Sequence, residues 1–290
     1  MSSVLAIILN WRTAEMTLRS AEAARLAMTG LRGAITIVDN DSQDGSFEWL
    51  SRAVHQRGWD QAEVPVRVVQ SGWNGGFGAG NNVGIRGGLP NGDRPDYLYI
   101  LNSDAFPEPD AIRRLHDYLD THPKVGFAGS AILGEKGDIH HTAFRFPSVA
   151  GELEQAARTG PITRILRRAV IAPPLPQHSG PVDWLAGASM MMRQSVLDQI
   201  GLFDETFFCI SRKPISACGP RGPGGQPITW LTAGWFIWAR FQPAWAGGRG
   251  FPGSGWIPGF IITPKIMVGS RRHWQLWRIW PGARSGVCAP

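Results

Sequence analysis

Cysteine is scarce. Cys209, Cys218 and Cys288 are the three in 290 residues, which excludes the disulfide framework of a small secreted scaffold. No apolar run reaches the ~18 residues that a membrane-spanning helix needs. The first apolar stretch, Val4 to Leu9, is too short and badly flanked for a secretory signal. The sharpest absence is local. Every Asp and Glu lies at or before Glu205, and none of the 85 residues that follow is acidic. At the frequency of the preceding chain, about nine acids belong there.

The charge divides at the same place. Residues 1–208 carry 19 Lys and Arg against 23 Asp and Glu, whereas residues 209–290 carry 10 Lys and Arg against none. The net charge of +6 is therefore a property of the tail and says nothing about a nucleic-acid partner. The tail also holds eight of the thirteen Trp and ten of the 22 Pro. A basic, Trp-rich segment suits RNA or a membrane surface. Yet no helix or strand period is sustained there, and Gly and Pro interrupt every short apolar run. With 43% apolar and 18% charged residues, the chain has room for one large α/β domain or two small ones.

The head alternates strands and helices. Residues 4–9, 34–39, 64–69 and 97–101 read as strands. Residues 15–28, with Thr13 as N-cap, 46–56 and 109–119 read as helices. This alternation predicts a mostly parallel sheet covered by helices. Ligands of such sheets sit beyond the carboxyl ends of the strands. The polar residues there are Asn10-Trp11-Arg12, Asp39-Asn40-Asp41-Ser42, the Gly/Asn stretch 72–84, and Asn102-Ser103-Asp104. Asp39 is placed to accept a ring N–H and a hydroxyl from a nucleoside, or to cap a turn. Gly75-Gly76-Phe77-Gly78-Ala79-Gly80-Asn81-Asn82 reads as a loop whose backbone N–H groups approach phosphate or sugar. Asp104 is placed to hold Mg²⁺ or Mn²⁺ on a diphosphate, or to cap the next helix.

Together these segments resemble the family 2 glycosyltransferases of the GT-A fold, in the bacterial rhamnosyltransferase-like branch. The motifs are Ile37-Val38-Asp39-Asn40-Asp41-Ser42-Gln43-Asp44-Gly45-Ser46, Asn74-Gly75-Gly76-Phe77-Gly78-Ala79-Gly80-Asn81-Asn82, Leu101-Asn102-Ser103-Asp104 and Gly201-Leu202-Phe203-Asp204-Glu205. The resemblance implies a GT-A, Rossmann-like sheet flanked by helices over residues 1–208. It implies that Asp39 contacts the base, and that Asn10, Asn74, Gly76, Gly78, Asn81, Asn82 and Asn102 line the nucleotide-sugar pocket. Asp104 is implied as the metal-binding acid, with Asn102 where the family's first acid stands. Trp184 and Gly187, in Asp183-Trp184-Leu185-Ala186-Gly187-Ala188, fall on the acceptor side with Asp204 and Glu205.

In the family an acidic cluster follows and supplies the general base. It deprotonates the acceptor hydroxyl, which attacks the anomeric carbon with inversion. Here Cys209-Ile210-Ser211-Arg212-Lys213-Pro214 stands instead, so no catalytic base is assigned. The genetic code offers an account. Back-translated from Ile210 and read one base earlier, the codons permit Tyr-Phe-Glu-Glu-Thr-Asp-Leu-Cys-Leu, the missing acidic strand. The stretches around 235–243 and 255–268 permit two further patterns of the branch, in the right order. Trp256 and Met267, with single codons, force an Asp and a Gly there. A one-nucleotide loss near codon 210 is the expected origin of the tail. Residues 209–290 are then expected to be non-native, poorly ordered and without an independent fold.

Two rivals are weighed. Gly76-x-Gly78-x-Gly80 suggests a dinucleotide-binding oxidoreductase, but that fingerprint opens the first βα unit, and here the first strand ends in Asn10-Trp11. The other is a non-catalytic GT-A-fold binding protein with a repurposed tail. His140-His141 is read as loop or surface histidines, and Arg164 to Arg168 as a solvated face. The expected donor is a dTDP- or UDP-sugar, and the expected acceptor a glycan or lipid-linked sugar of bacterial surface polysaccharide. No nucleic acid is expected. The expected place is the cytoplasm, at the inner face of the membrane through the acceptor.

Overall fold

In the computed structural model, the first strand is buried on both faces and its side chains alternate between two layers. The structure describes residues 2–133, 139–140, 142–145, 148–157, 159–172, 179–182, 184–205, 234–237 and 241–243. The elements run β1 (Ser3–Asn10), α1 (Ala14–Ala27), β2 (Arg32–Asp39), α2 (Ser46–Gln56), β3 (Val66–Gln70), α3 (Gly76–Gly87), β4 (Tyr97–Asn102), β5 (Ala105–Pro107) and α4 (Ala111–Thr121). Next come β6 (Phe127–Ser130), β7 (Ile132–Leu133), β8 (Ile139–His140), β9 (Ala143–Phe144), α5 (Val149–Ala157) and α6 (Gly160–Ile165). The last are β10 (Gly180–Val182), β11 (Trp184–Leu185), β12 (Ser189–Arg193), α7 (Gln194–Ile200), β13 (Gly234–Ile237) and β14 (Phe241–Pro243).

The main sheet has the order β10-β13-β6-β12-β4-β1-β2-β3. β1 pairs parallel with β2 and β4, and β2 with β3. β12 runs antiparallel to β4 and β6. The period of two along β1 divides the core. Val4, Ala6 and Ile8 join the apolar cluster with α1, α2 and α4, while Leu5 and Ile7 join the cluster with α3 and α7. Burying each Leu or Ile of this kind contributes roughly 1.5–3 kcal/mol. That burial, rather than helix propensity, holds the layers together.

One expectation holds in position only, and one is corrected. Thr13 occupies the N-cap position of α1 without a side-chain cap bond; its hydroxyl reaches Asn10 Oδ1 at 3.4 Å instead. The glycine stretch is also not a loop beyond Gly75, because α3 starts at Gly76. Glycine costs a helix about 1 kcal/mol per residue relative to Ala, so packing must favour it. A Cβ on Gly80 would lie 2.3 Å from Leu9 Cδ1, and one on Gly84 would lie 2.8 Å from Ile7 Cγ2. Four residues apart, the two glycines share a helix face and let α3 lie directly on β1.

Gly84→Ala tests this balance. The propensity gain of about 1 kcal/mol opposes overpacking of about 1–3 kcal/mol. Ile7 is β-branched and fully buried, so it cannot yield. Calorimetry is expected to show a Tm lowered by about 2–6 °C. Gly160→Ala, where a Cβ meets nothing within 4 Å, is the control and leaves Tm unchanged or raised.

From residue 209 onward the described residues are β13 and β14. β13 pairs parallel with β6 and antiparallel with β10, and β14 pairs antiparallel with β5. The sequence pattern showed neither strand. Sheet pairing is made by backbone groups, so a segment without strand periodicity can still complete a ladder. The rest of 206–290 lies outside the described residues, as do Asp183 and His141.

Candidate active site

The carboxyl ends of the parallel strands are aligned by register alone. Asn10 stands opposite Asp39 across β1 and β2, Leu9 opposite Asn102 across β1 and β4, and Asp39 opposite Gln70 across β2 and β3. The polar strand ends picked from the sequence therefore share one edge of the sheet, where open α/β sheets bind ligands.

Asp39 and Asn10 are both fully buried. Asn10 Nδ2 donates to Asp39 Oδ1 at 2.6 Å and to Ser42 Oγ at 3.2 Å. Ser42 Oγ donates to the same carboxylate oxygen at 2.6 Å, and the Ser42 N–H donates to Asp39 Oδ2 at 3.1 Å. Thr17 Oγ1 donates to Asn10 Oδ1 at 2.7 Å. Three donors on one buried carboxylate offset its desolvation and fix its orientation.

The two loops interlock above this network. The Arg12 N–H donates to Ser42 Oγ at 2.9 Å, and Arg12 Nε donates to the Ser42 carbonyl at 3.1 Å. Arg12, Asp41 and Gln43 all have φ near the left-handed region, at 57°, 55° and 54°. Such positions cost non-glycine residues about 1–3 kcal/mol each and gather at functional edges. Trp11 and Trp73, after the ends of β1 and β3, are half exposed. The Arg12 guanidinium lies 5.1 Å from the Trp11 ring centroid. Trp11 stood among the strand-end residues read from the sequence but neither indole was given a role there; large aromatics just after strand ends were the available signal.

The third loop is tied to the second. Asn40 Nδ2 donates to Asn74 Oδ1 at 2.8 Å, and the Gly76 N–H donates to the same oxygen at 3.1 Å. Gly76, at φ +78°, makes the turn that opens α3, and Gly78 is buried behind it. Among the described residues, Asn40 Oδ1 and Asn81 Oδ1 are buried acceptors without a hydrogen-bond partner. Asn81 Nδ2 turns back to the Phe77 carbonyl at 2.8 Å. Asn82 goes elsewhere. Its Nδ2 donates to the Phe203 carbonyl and to Glu205 Oε1, both at 2.8 Å. The structure therefore brings Asn82 to the turn 201–205, not to Asn10 and Asp39.

Asn102 ends β4, where its N–H donates to the Ala188 carbonyl at 3.0 Å. Asp104 follows in an exposed turn, and among the described residues its carboxylate has no hydrogen bond or ion pair. The described residues hold no group of three or more His, Cys, Asp or Glu able to bind a metal ion. One free carboxylate fits a hard cation only when phosphate oxygens and water complete the coordination. Of the residues expected on the acceptor side, Trp184 of β11 pairs with Phe144 of β9. A Cβ on Gly187 would lie 3.0 Å from Phe77 Cζ, so the turn after β11 rests on α3. Asp204 is exposed, and Glu205 pairs with Arg86 Nη2 at 2.6 Å. The Asn82 amide, and then Arg86, hold the Glu205 carboxyl below its ordinary value. That pairing is complete at neutral pH and is lost as pH falls through the lowered value. Arg164, Arg167 and Arg168 are exposed, and His140 lies on β8.

A mostly parallel sheet with helices on both faces and this edge defines a GT-A scaffold. GalNAc-T7, solved with UDP, GalNAc and Mn²⁺, is similar to it with a TM-score of 0.51 at 10% identity, over 84% of this chain and 44% of that one. The model of glycosyl transferase family 2 matches residues 6–169, more than half the chain, and the protein belongs to that family. The N-acetylglucosaminyl-diphospho-decaprenol L-rhamnosyltransferase of Mycobacterium tuberculosis is 28% identical over 186 residues, 60% of this chain and 56% of that protein. The low-salt glycan biosynthesis hexosyltransferase Agl10 of Haloferax volcanii is 29% identical over 175 residues, 59% of this chain and 48% of that protein. The chain thus spans about half the length of the curated relatives it matches. No helix among the described residues is long and apolar enough to cross a membrane.

Proposed function

We propose that the protein is built as an inverting glycosyltransferase, taking a dTDP- or UDP-linked sugar and serving a glycan or lipid-linked acceptor of bacterial surface polysaccharide. The observation that carries this reading is the alignment of Asn10, Asp39 and Asn102 by register beside the free carboxylate of Asp104. Asp39, held by Asn10 and Ser42, offers its remaining lone pairs to the nucleoside. α3 begins at the same edge, and its first N–H groups favour a diphosphate there. A divalent cation at Asp104, Mg²⁺ or Mn²⁺, would neutralise the leaving diphosphate. Asn74, Gly76 and Gly78 shape the loop around the sugar. Trp184, Gly187, Asp204 and Glu205 belong to the acceptor side. The place of work is the cytoplasmic face of the membrane, reached through the acceptor.

In this chain the base-bearing segment after Phe208 is replaced by a sequence in a shifted frame, so residues 1–208 keep the donor half and turnover is impaired. One observation favours a second reading, a scaffold that binds without transferring: β13 of the tail joins the main sheet. Resequencing the gene across codons 200–220 separates the two, since an unaltered frame favours the second. Donor binding tests both. Calorimetry with Mn²⁺ is expected to show dTDP or UDP binding at micromolar to millimolar Kd, the usual substrate range. Absence of binding by either nucleotide would sink the donor assignment.

A further inference from the structure

α3 touches the donor loop at its first turn and the acceptor side along its length. Near its start, Gly76 is held by Asn74. One residue on, Phe77 packs edge to face on Phe203, with centroids 6.2 Å apart at 80°, and carries Gly187 against its ring. Asn82, fully buried, meets the main chain of Phe203 at both of its polar groups. Its Nδ2 donates to the Phe203 carbonyl at 2.8 Å, and its Oδ1 accepts the Phe203 N–H at 3.1 Å. A carboxamide has the donor–acceptor pair of a peptide group, so Asn82 pairs with Phe203 as a neighbouring strand residue would. The second Nδ2 hydrogen bond and Arg86 Nη2 then converge on Glu205 Oε1.

We propose that Asn82 is a positioning residue: it sets the turn 201–205, which ends in Asp204 and Glu205, against the helix that opens the donor crevice. This replaces its expected place in the nucleotide-sugar pocket. The consequence for transfer rests on the donor and acceptor reading above, but the pairing itself does not. Magnitudes rank the two clamps. The Arg86 and Glu205 side chains are 55% and 35% exposed, and pairs of that kind contribute about 0–1 kcal/mol. Buried hydrogen bonds that leave a partner unsatisfied when broken matter more.

Hydrogen exchange of the full chain, without ligand, tests the proposal. Asn82→Asp keeps the shape and removes both Nδ2 donors. Exchange across 201–205 is expected to rise about tenfold or more, with β1 and β2 unchanged. Adding Glu205→Gln removes the facing charge, returns a donor and restores part of the protection. UDP and dTDP affinity with Mn²⁺ stays within about twofold, the scale of a change that breaks no ligand contact. Unchanged exchange at 201–205 overturns the proposal, most plainly if nucleotide affinity falls tenfold instead. If neither chain binds nucleotide, the donor reading fails and the exchange result still decides this one. Should Asn82→Asp not fold, Arg86→Ala, at an exposed position, gives a smaller rise of about twofold to fivefold, and no rise refutes the clamp.

Discussion

Restoring one base near codon 210 is expected to raise transferase turnover by about 10²–10⁴-fold, the usual contribution of a positioned general base. On the proposed reading, the present chain can still hold a nucleotide sugar but cannot take the proton from an acceptor hydroxyl. Its last acids are Asp204 and Glu205. Glu205 is a poor substitute, because Asn82 and Arg86 hold its carboxyl below the ordinary value. A carboxylate made less basic, and engaged through Oε1, has little drive to accept a proton at neutral pH. The assay follows transfer of labelled sugar from the proposed dTDP- or UDP-sugar donor to a lipid-linked sugar acceptor, for both chains at equal concentration. Donor affinity should match between them, since the donor half is the same. Equal turnover would mean that residues before 206 already supply the chemistry, and the account of the missing base would fail.

The parallel core was legible because each strand is a short apolar run ending in a polar cluster. Register does the rest: once β1 pairs with β2 and β4, Asn10, Asp39 and Asn102 must lie on one edge. The glycine stretch misled because composition points to a loop, whereas the spacing of Gly80 and Gly84 serves helix–sheet contact. The pairing of Asn82 was hidden for a related reason. Motif neighbours Asn81 and Asn82 are about 100° apart on a helix, so one turns into α3 and the other to Phe203. No local pattern carries a pairing across 121 residues. β13 was invisible because its place depends on the open edge of β6, not on its own sequence.

Asp104→Ala is expected to lower Mn²⁺-dependent nucleotide affinity by at least about tenfold, because on the proposed reading the cation loses the carboxylate assigned to it. The geometry makes this a sharp case. Asp104 belongs to no group of three or more His, Cys, Asp or Glu among the described residues, so on the proposed reading diphosphate oxygens and water supply most of the coordination. Metal-free affinity should change little, since among the described residues the Asp104 carboxylate makes no hydrogen bond or ion pair that its removal would break. Asn102→Asp runs the other way. A second carboxylate two residues away repels Asp104 in the metal-free protein, and this lowers its Tm. A cation bound between the two removes the repulsion, so added Mn²⁺ should raise Tm more than in the unchanged chain. Calorimetry and thermal scans with Mn²⁺ or with a chelator read both effects. If Asp104→Ala keeps the full metal response, the cation sits elsewhere. If Asn102→Asp shows no added response, residues 102 and 104 do not converge on one ion, and Asn102 is then an amide facing the sugar rather than the vacated half of an acidic pair.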